Sequence, residues 1–382
     1  VTDIFTEKII MDFAYSEEQR MLTDSLRRVM AEGWTFDKRR ARAASGELDQ
    51  AAWASLAELG VAGLMVPEAY GGFGESTATM LAVHMELGRG IVSEPVIPSA
   101  VMAVTMLSAI ENESVKAKWL SAHAEGEAIL TVAWQEEGER FALTASSTQA
   151  VARGDGFELT GVKRHVWHGK GSTAMIVTAV LDGQAALFLV ASDAPGVSME
   201  DFPTFDLARC ANVTFEKVAL DGAALLARGE AATAILDRGL DFAITALCAH
   251  ACGAMQYLIE VTTNYLKTRK QFGQPLINFQ VVQHRVADML IQQEMAVSNA
   301  YVAAVSLVDD PAPLRGKRVS MAKTEVALAA RFVGEQAVHL HGGMGVTLEL
   351  EVGDYFKRLS YMGVLLGDNN YHLNRAQTLM AA

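Results

Sequence analysis

Apolar positions recur at helical spacing through the first third of the chain. Ser16 precedes Glu17 and Glu18, a capping residue with acids in the first turn, and Met21, Leu22, Leu26 and Met30 then mark one face. Ala51–Leu59 predicts a helix ended by Gly60, and others are expected over Thr77–Leu87, Ala100–Ala109 and Glu113–Glu125. The loop Val66-Pro-Glu-Ala-Tyr-Gly-Gly-Phe-Gly74 interrupts them. Near Ala128 the texture changes to short runs rich in β-branched residues: Ile129–Ala133, Phe157–Gly161, Thr173–Val180, Ala186–Ala191 and Ala211–Val218. Turn residues separate them (Gly154-Asp-Gly156, Asp182-Gly183, Asp193-Ala-Pro-Gly196), which predicts a small β-barrel or sandwich. From about Gly229 helical spacing returns over Ala231–Leu266, read as two segments, then Phe279–Val308 and Lys317–His341. Long alanine-rich helices of this kind predict a four-helix bundle with apolar surface left for oligomerisation.

The expected architecture is therefore a multidomain α+β chain: an all-helical domain over 1–127, a middle β-barrel domain over 128–228 and a C-terminal four-helix bundle over 229–382. A chain of 382 residues is too long for one small core, and 51% hydrophobic against 20% charged residues marks it as globular. A net charge of -13 offers no surplus of Lys and Arg for phosphate backbones, so nucleic-acid binding is not expected. Cys210, Cys248 and Cys252 are too few for a disulfide framework; Cys248 and Cys252 read as buried thiols, and no metal site is expected. No apolar stretch is read as a membrane span and no signal peptide is visible, which makes the cytoplasm the expected location. Residues 1–10 precede Met11-Asp-Phe-Ala and are read as an upstream start or an extra arm.

Two stretches hold the candidate chemistry. His339-Leu-His-Gly-Gly-Met-Gly-Val-Thr347 puts bare backbone between two helical patterns, where N–H groups can reach a phosphate. Leu366-Gly-Asp-Asn-Asn-Tyr-His-Leu-Asn-Arg375 places Asp368 in a turn before the last helix, from which a carboxylate can be aimed into a cleft. A plain N-cap is the structural alternative.

Arg269-Lys-Gln-Phe-Gly273, followed by Phe279-Gln-Val-Val-Gln283 and Ala287-Asp-Met289, closely resembles the bundle signature of acyl-CoA dehydrogenases. Ala337–Thr347 resembles that family's glycine turn, and Met11-Asp-Phe-Ala-Tyr-Ser-Glu-Glu-Gln19 its usual start. The similarity runs through residues 11–382. It implies FAD as cofactor. Arg269 would pair with the pyrophosphate, suiting a forked donor. Phe272 and Phe279 would pack on the adenosine or ring edge, Gln280 and Gln283 would hydrogen-bond the cofactor or the neighbouring subunit, and Gln271, His339, Asn370 and His372 would join the cofactor contacts. Gly342 and Gly343 would reach the pyrophosphate of a flavin bound mainly by another subunit.

Three departures from the family pattern stand out. His339 replaces the usual Gln, which makes that donor's charge pH-dependent. In the β domain, Ala133–Phe141 lacks the usual Thr-Glu-Pro-x-Ala-Gly-Ser, and Lys163-Arg-His-Val-Trp-His-Gly169 puts His165 where an aromatic covers the flavin ring and Trp167 where a hydroxyl bonds it near N5. These features resemble the smaller subunits of two-subunit acyl-CoA dehydrogenases, such as pimeloyl-CoA dehydrogenase and bacterial steroid side-chain enzymes. Counting back from Arg375 puts Asp368 at the place of the family's catalytic Glu. The alternative base site of the family falls on Ala243, with Asp241 two residues away.

The resemblance implies α,β-dehydrogenation of an acyl-CoA thioester within fatty acid metabolism, with Asp368 as base, hydride transfer to flavin N5, and an electron-transfer flavoprotein as acceptor. A homodimer, homotetramer or heterotetramer with a paralogous subunit is expected. Two other readings remain: a non-catalytic or half-site partner in a heteromeric enzyme, and a nitroalkane oxidase-like flavoenzyme, since those share the fold and use Asp as base.

Overall fold

The computed structural model describes residues 15–381, apart from Arg140, Thr144 and Ser146; the possible start at Met11 and the arm before it lie outside them. Helices α1 (Glu17–Gly33), α2 (Phe36–Ser45), α3 (Gln50–Glu58), α4 (Thr77–Arg89), α5 (Val104–Ser108) and α6 (Glu113–Ala124) form the first part. A π-helical run, Val96–Ala103, leads directly into α5. Ser16, Thr35, Asp49, Ser76 and Asn112 each accept a backbone N–H from the first turn that follows, which is why these helices start where they do. Helix α2 is an addition to the expected set.

The middle part is one eight-stranded sheet: β1 (Leu130–Ala133), β2 (Gln149–Arg153), β3 (Gly156–Trp167), β4 (Ala174–Leu181), β5 (Gln184–Ala191), β6 (Val197–Pro203), β7 (Arg209–Leu220) and β8 (Leu225–Arg228). The strand path is β6-β7-β3-β2-β4-β5-β8, and β1 runs parallel to β4 with Leu130 opposite Ala174. Strands β2, β6 and β8 are short or largely exposed and carry little apolar alternation, so the sequence does not announce them. The β3–β7 ladder breaks between Lys163 and Val166, and His165 sits in that break at φ +52.

Helix α7 (Glu230–Thr268) is continuous over 39 residues, where two segments were expected. Its mid-helix polar residues do not break it because they are spent inside the fold: Asp237 and Asp241 pair with Arg315 and Arg375. An 18-residue window of α7 is apolar enough to cross a membrane by length and composition, but 89% of that window is buried within the protein. The chain continues through a hairpin of β9 (Lys270–Gln271) and β10 (Gln274–Pro275), then α8 (Gln280–Asp309), α9 (Ala312–His341), α10 (Val352–Val364) and α11 (Asn369–Ala381). Helices α10 and α11 both pack on α9.

The first helices and the bundle share one hydrophobic core, while the sheet has a second one around Leu159, Phe188, Val213 and Phe215. Helix α4 lies so close to α7 that a Cβ at Gly88 would collide with the His250 carbonyl, and one at Gly253 with the Met85 carbonyl. That crossing needs glycine on both helices.

Candidate functional site

The motif residues gather in two groups, one at the C-terminal end of α9 and one against its N-terminal half. At its C-terminal end, the β9–β10 hairpin turns through Phe272 and Gly273, at φ +52 and +84, the two-residue turn that suits a hairpin's twist. The turn holds Phe272 89% exposed, edge-on to Phe279 at 6.2 Å. A phenylalanine at positive φ with its ring in water is strained twice over, which points to something that covers it. Arg269 precedes the hairpin and is exposed, and no ion pair forms on it among the described residues. Gln271 and Gln280 are also exposed.

The glycine turn joins this group through Tyr265. Its ring stacks on His341 at 4.3 Å and its hydroxyl donates to the His341 carbonyl at 3.4 Å. His341 itself is buried, with Nδ1 2.8 Å from the Ala337 carbonyl, and burial lowers its basicity. It is a structural histidine. Gly342 ends α9 at φ +59, ψ −139, a conformation open to glycine, and its N–H bonds the His339 carbonyl. A Cβ at Gly342 or Gly343 would meet no atom within 4 Å, so the turn's outer face is open, and His339 is exposed beside it.

The second group surrounds Asp368. Leu366 and Gly367, at φ +59 and +123, swing the chain from α10 into α11. Asp368 Oδ1 accepts from the Tyr371 N–H at 2.8 Å, so the carboxylate caps α11, while no acceptor is found for the Asp368 N–H among the described residues. Its neighbour Asn369 has a buried Oδ1 without a partner among the described residues. His372 is fully buried, with Nε2 3.2 Å from the Leu366 carbonyl and Nδ1 3.3 Å from the Ser320 hydroxyl. Burial pushes its pKa down to about 3, so a neutral ring ties the turn to α9. Asn370, by contrast, is exposed. Below the turn, Arg375 bonds Asp237 at 2.8 Å and Arg315 bonds Asp241 at 2.8 Å. Burial raises the Asp241 carboxyl and Arg375 opposes it; with both arginines on it, Asp241 is a structural charge. Ala243 is fully buried.

The sheet reaches this group through Phe141, whose ring meets Tyr371 at 4.9 Å. The stretch is anchored by Glu136, which accepts from Ser147 N–H at 2.8 Å, Thr148 N–H at 3.0 Å and the Lys163 ammonium at 2.7 Å. His165 is exposed and edge-on to Phe202 at 5.7 Å. Trp167 is packed into the core at 9% exposure.

The two groups are far apart. Lys323 of α9 reaches the Gly367 carbonyl, and His341 adjoins the glycine turn; the helix rises about 27 Å between them at 1.5 Å per residue.

The family models for the acyl-CoA dehydrogenase N-terminal and C-terminal domains match residues 16–127 and 233–380. The chain belongs to the acyl-CoA dehydrogenase family. Its members are FAD-dependent oxidoreductases. A structure of a variant of the Tcur3481–Tcur3483 steroid ACAD is 31% identical, with a TM-score of 0.86, covering 96% of this chain and 98% of that one. The ChsE4–ChsE5 complex from Mycobacterium tuberculosis is similar at 28% identity and TM-score 0.88, covering 97% and 99%. The acyl-CoA dehydrogenase FadE27 of the same organism is 28% identical over 333 residues, 86% of this chain and 87% of its own.

Whether this dehydrogenase chain suits FAD depends on the end of the cofactor considered. The dinucleotide end fits: an exposed guanidinium without an ion pair, an open glycine turn and an uncovered aromatic stand together. The Asp368 turn also fits, with an N–H that has no acceptor and an Asn369 oxygen that has no partner among the described residues. The ring end departs from the family pattern, because Trp167 is buried in the core where a hydroxyl would face the ring. Sequence reasoning missed Tyr265, Lys323 and the Glu136–Lys163 pair. Lys323 had a signal, as a charge on the apolar stripe of Val319, Ala322, Val326 and Ala330.

Proposed function

We propose that the chain carries out flavin-dependent α,β-dehydrogenation of an acyl-CoA thioester at a site assembled from two chains. The separation of the two groups along α9 carries this reading. A ribityl chain joins a flavin's ring to its pyrophosphate and cannot span about 27 Å. Arg269, Gln271, Phe272, Phe279, Gln280, His339, Gly342 and Gly343 of one chain therefore serve a flavin whose ring lies against Asp368 of a neighbour.

Within that site Asp368 takes the α proton, while Leu365, Leu366 and Tyr371 shield it from water. Its free N–H donates to the thioester oxygen as negative charge builds there. The bound flavin supplies the hydride acceptor at N5. Asp is one methylene shorter than Glu, so the Leu366–Gly367 turn sets the carboxylate's reach. Electrons pass to an electron-transfer flavoprotein, as the family resemblance implies, and the steroid ACAD among the similar structures favours a bulky acyl group. Asp368→Asn tests the role: turnover of an acyl-CoA panel should fall at least a hundredfold, and full activity removes Asp368 as base.

The buried Trp167 favours a second reading, in which this chain is the half-site subunit of a heteromeric enzyme and lends its clamp to a paralogue's flavin. Two-chain assemblies among the similar structures support it. Flavin stoichiometry of the purified chain separates the readings. A yellow protein with one flavin per chain favours the complete site, and a colourless one that takes up flavin only with its paralogue favours the half-site.

A further inference from the structure

Among the buried charges, Lys323 is one that the proposed chemistry leaves unused. It is 2% exposed and projects from the apolar face of α9. Its Nζ lies 3.1 Å from the Gly363 carbonyl and 3.2 Å from the Gly367 carbonyl. The first belongs to the last turn of α10, where carbonyls lack helical partners and a cation opposes the helix dipole. The second belongs to the residue immediately before Asp368. Between them the chain passes through Leu366 in the left-handed region, a conformation that a leucine does not hold unaided. Burial makes the ammonium costly, and an apolar residue would pack there at less expense. What the charge adds is a hold on both sides of the turn.

We propose that Lys323 is the positioning residue of the Asp368 turn, its ammonium clamping the Gly363 and Gly367 carbonyls so that the Asp368 carboxylate and N–H keep one direction. The proposal rests on Asp368 as the proton acceptor. Displacing a reacting group by about 1 Å costs on the order of a hundredfold in rate.

The test uses the full chain in its native, flavin-loaded assembly. It reads exchange of the substrate α proton into heavy water together with kcat and KM for an acyl-CoA. Lys323→Met is expected to slow exchange and kcat roughly ten- to a hundredfold, with KM and flavin content little changed. A second readout is the alkaline limb of the rate. Burial holds Lys323 down to about 8, so wild-type turnover should fall as pH rises through that value. The titratable groups facing it are Cys248 on α7, Asp368 in the turn and His372 on α11. Lys323→Arg, which stays charged, should recover the rate and lose that limb. Exchange by Lys323→Met within twofold of wild type overturns the proposal, as does an alkaline limb retained in Lys323→Arg. Should Lys323→Met not fold, the Arg profile decides. If Asp368→Asn exchanges at the wild-type rate, the base assignment itself fails; if Asp368→Asn is inactive while Lys323→Met is untouched, only the Lys323 proposal fails.

Discussion

Replacing Glu136 by leucine removes one half of a fully buried ion pair beneath the stretch that carries Phe141 to Tyr371. Lys163 and Glu136 side chains are 0% and 1% exposed, and among the described residues the ammonium keeps only Thr178 Oγ1, at 2.8 Å, once the carboxylate is gone. Breaking such a pair from one side costs about 3–5 kcal/mol, because the surviving charge stays buried. Ser147 and Thr148 also lose their shared acceptor, so Glu136→Leu should fall at the upper end. Lys163→Met should cost about 2 kcal/mol, since Glu136 keeps two backbone donors. The double variant leaves no buried charge. It should be no worse than Glu136→Leu alone, giving a coupling of at least ~2 kcal/mol in a double-mutant cycle. Urea unfolding of the four proteins measures it. The sign with pH follows from Lys163, which burial lowers from 10.5 to about 8 even with Glu136 present. Between those values the unfolded chain holds the proton and the folded chain does not, so this lysine's penalty is full below pH 8 and fades as pH rises. In Glu136→Leu the folded value drops further, so the variant should regain stability relative to wild type as pH rises toward 8, above which both proteins gain alike. Additive single costs, or a pH-independent difference, would refute the reasoning.

Arg269→Ala should weaken flavin retention roughly ten- to a hundredfold, the worth of one charge-assisted bond, with no change in the melting temperature of the flavin-free protein; dialysis followed by flavin fluorescence measures it. Gly253→Ala drives a methyl into the Met85 carbonyl and should destabilise by about 3 kcal/mol or more, whereas Gly343→Ala points into open space and should melt like wild type while binding flavin less well. Thermal unfolding of the two side by side shows the contrast.

What could be read in advance follows the range of the forces involved. The starts of helices α1, α3, α4 and α6 are legible to within two residues because Ser16, Asp49, Ser76 and Asn112 act locally on their own first turns. Helix α2 escaped because it has no buried face. Arg39 and Arg40 hold it to Glu351 and Asp354, more than 300 residues away. Helix α10 carries Val352, Tyr355, Leu359 and Met362 at readable spacing, yet it lies between the two motifs that drew attention. Counting from Arg375 puts Asp368 at the family's base position, and the structure shows that its Oδ1 caps α11. The distance between the two motif groups could not be read, because an unbroken helix over Lys317–His341 is expected but nothing local places the Asp368 turn against Lys323.

The central claim, a flavin site shared between chains, is tested most directly by mixing two variants, assayed at a flavin concentration too low for Arg269→Ala alone to hold the cofactor. Arg269→Ala lacks the clamp and Asp368→Asn lacks the base. In a hybrid dimer one site receives its clamp from the Asp368→Asn chain and its base from the Arg269→Ala chain. Co-assembled in equal amounts, the two should recover roughly a quarter of wild-type turnover, one intact site in each hybrid. Recovery no greater than the sum of the separate variants would contradict the account.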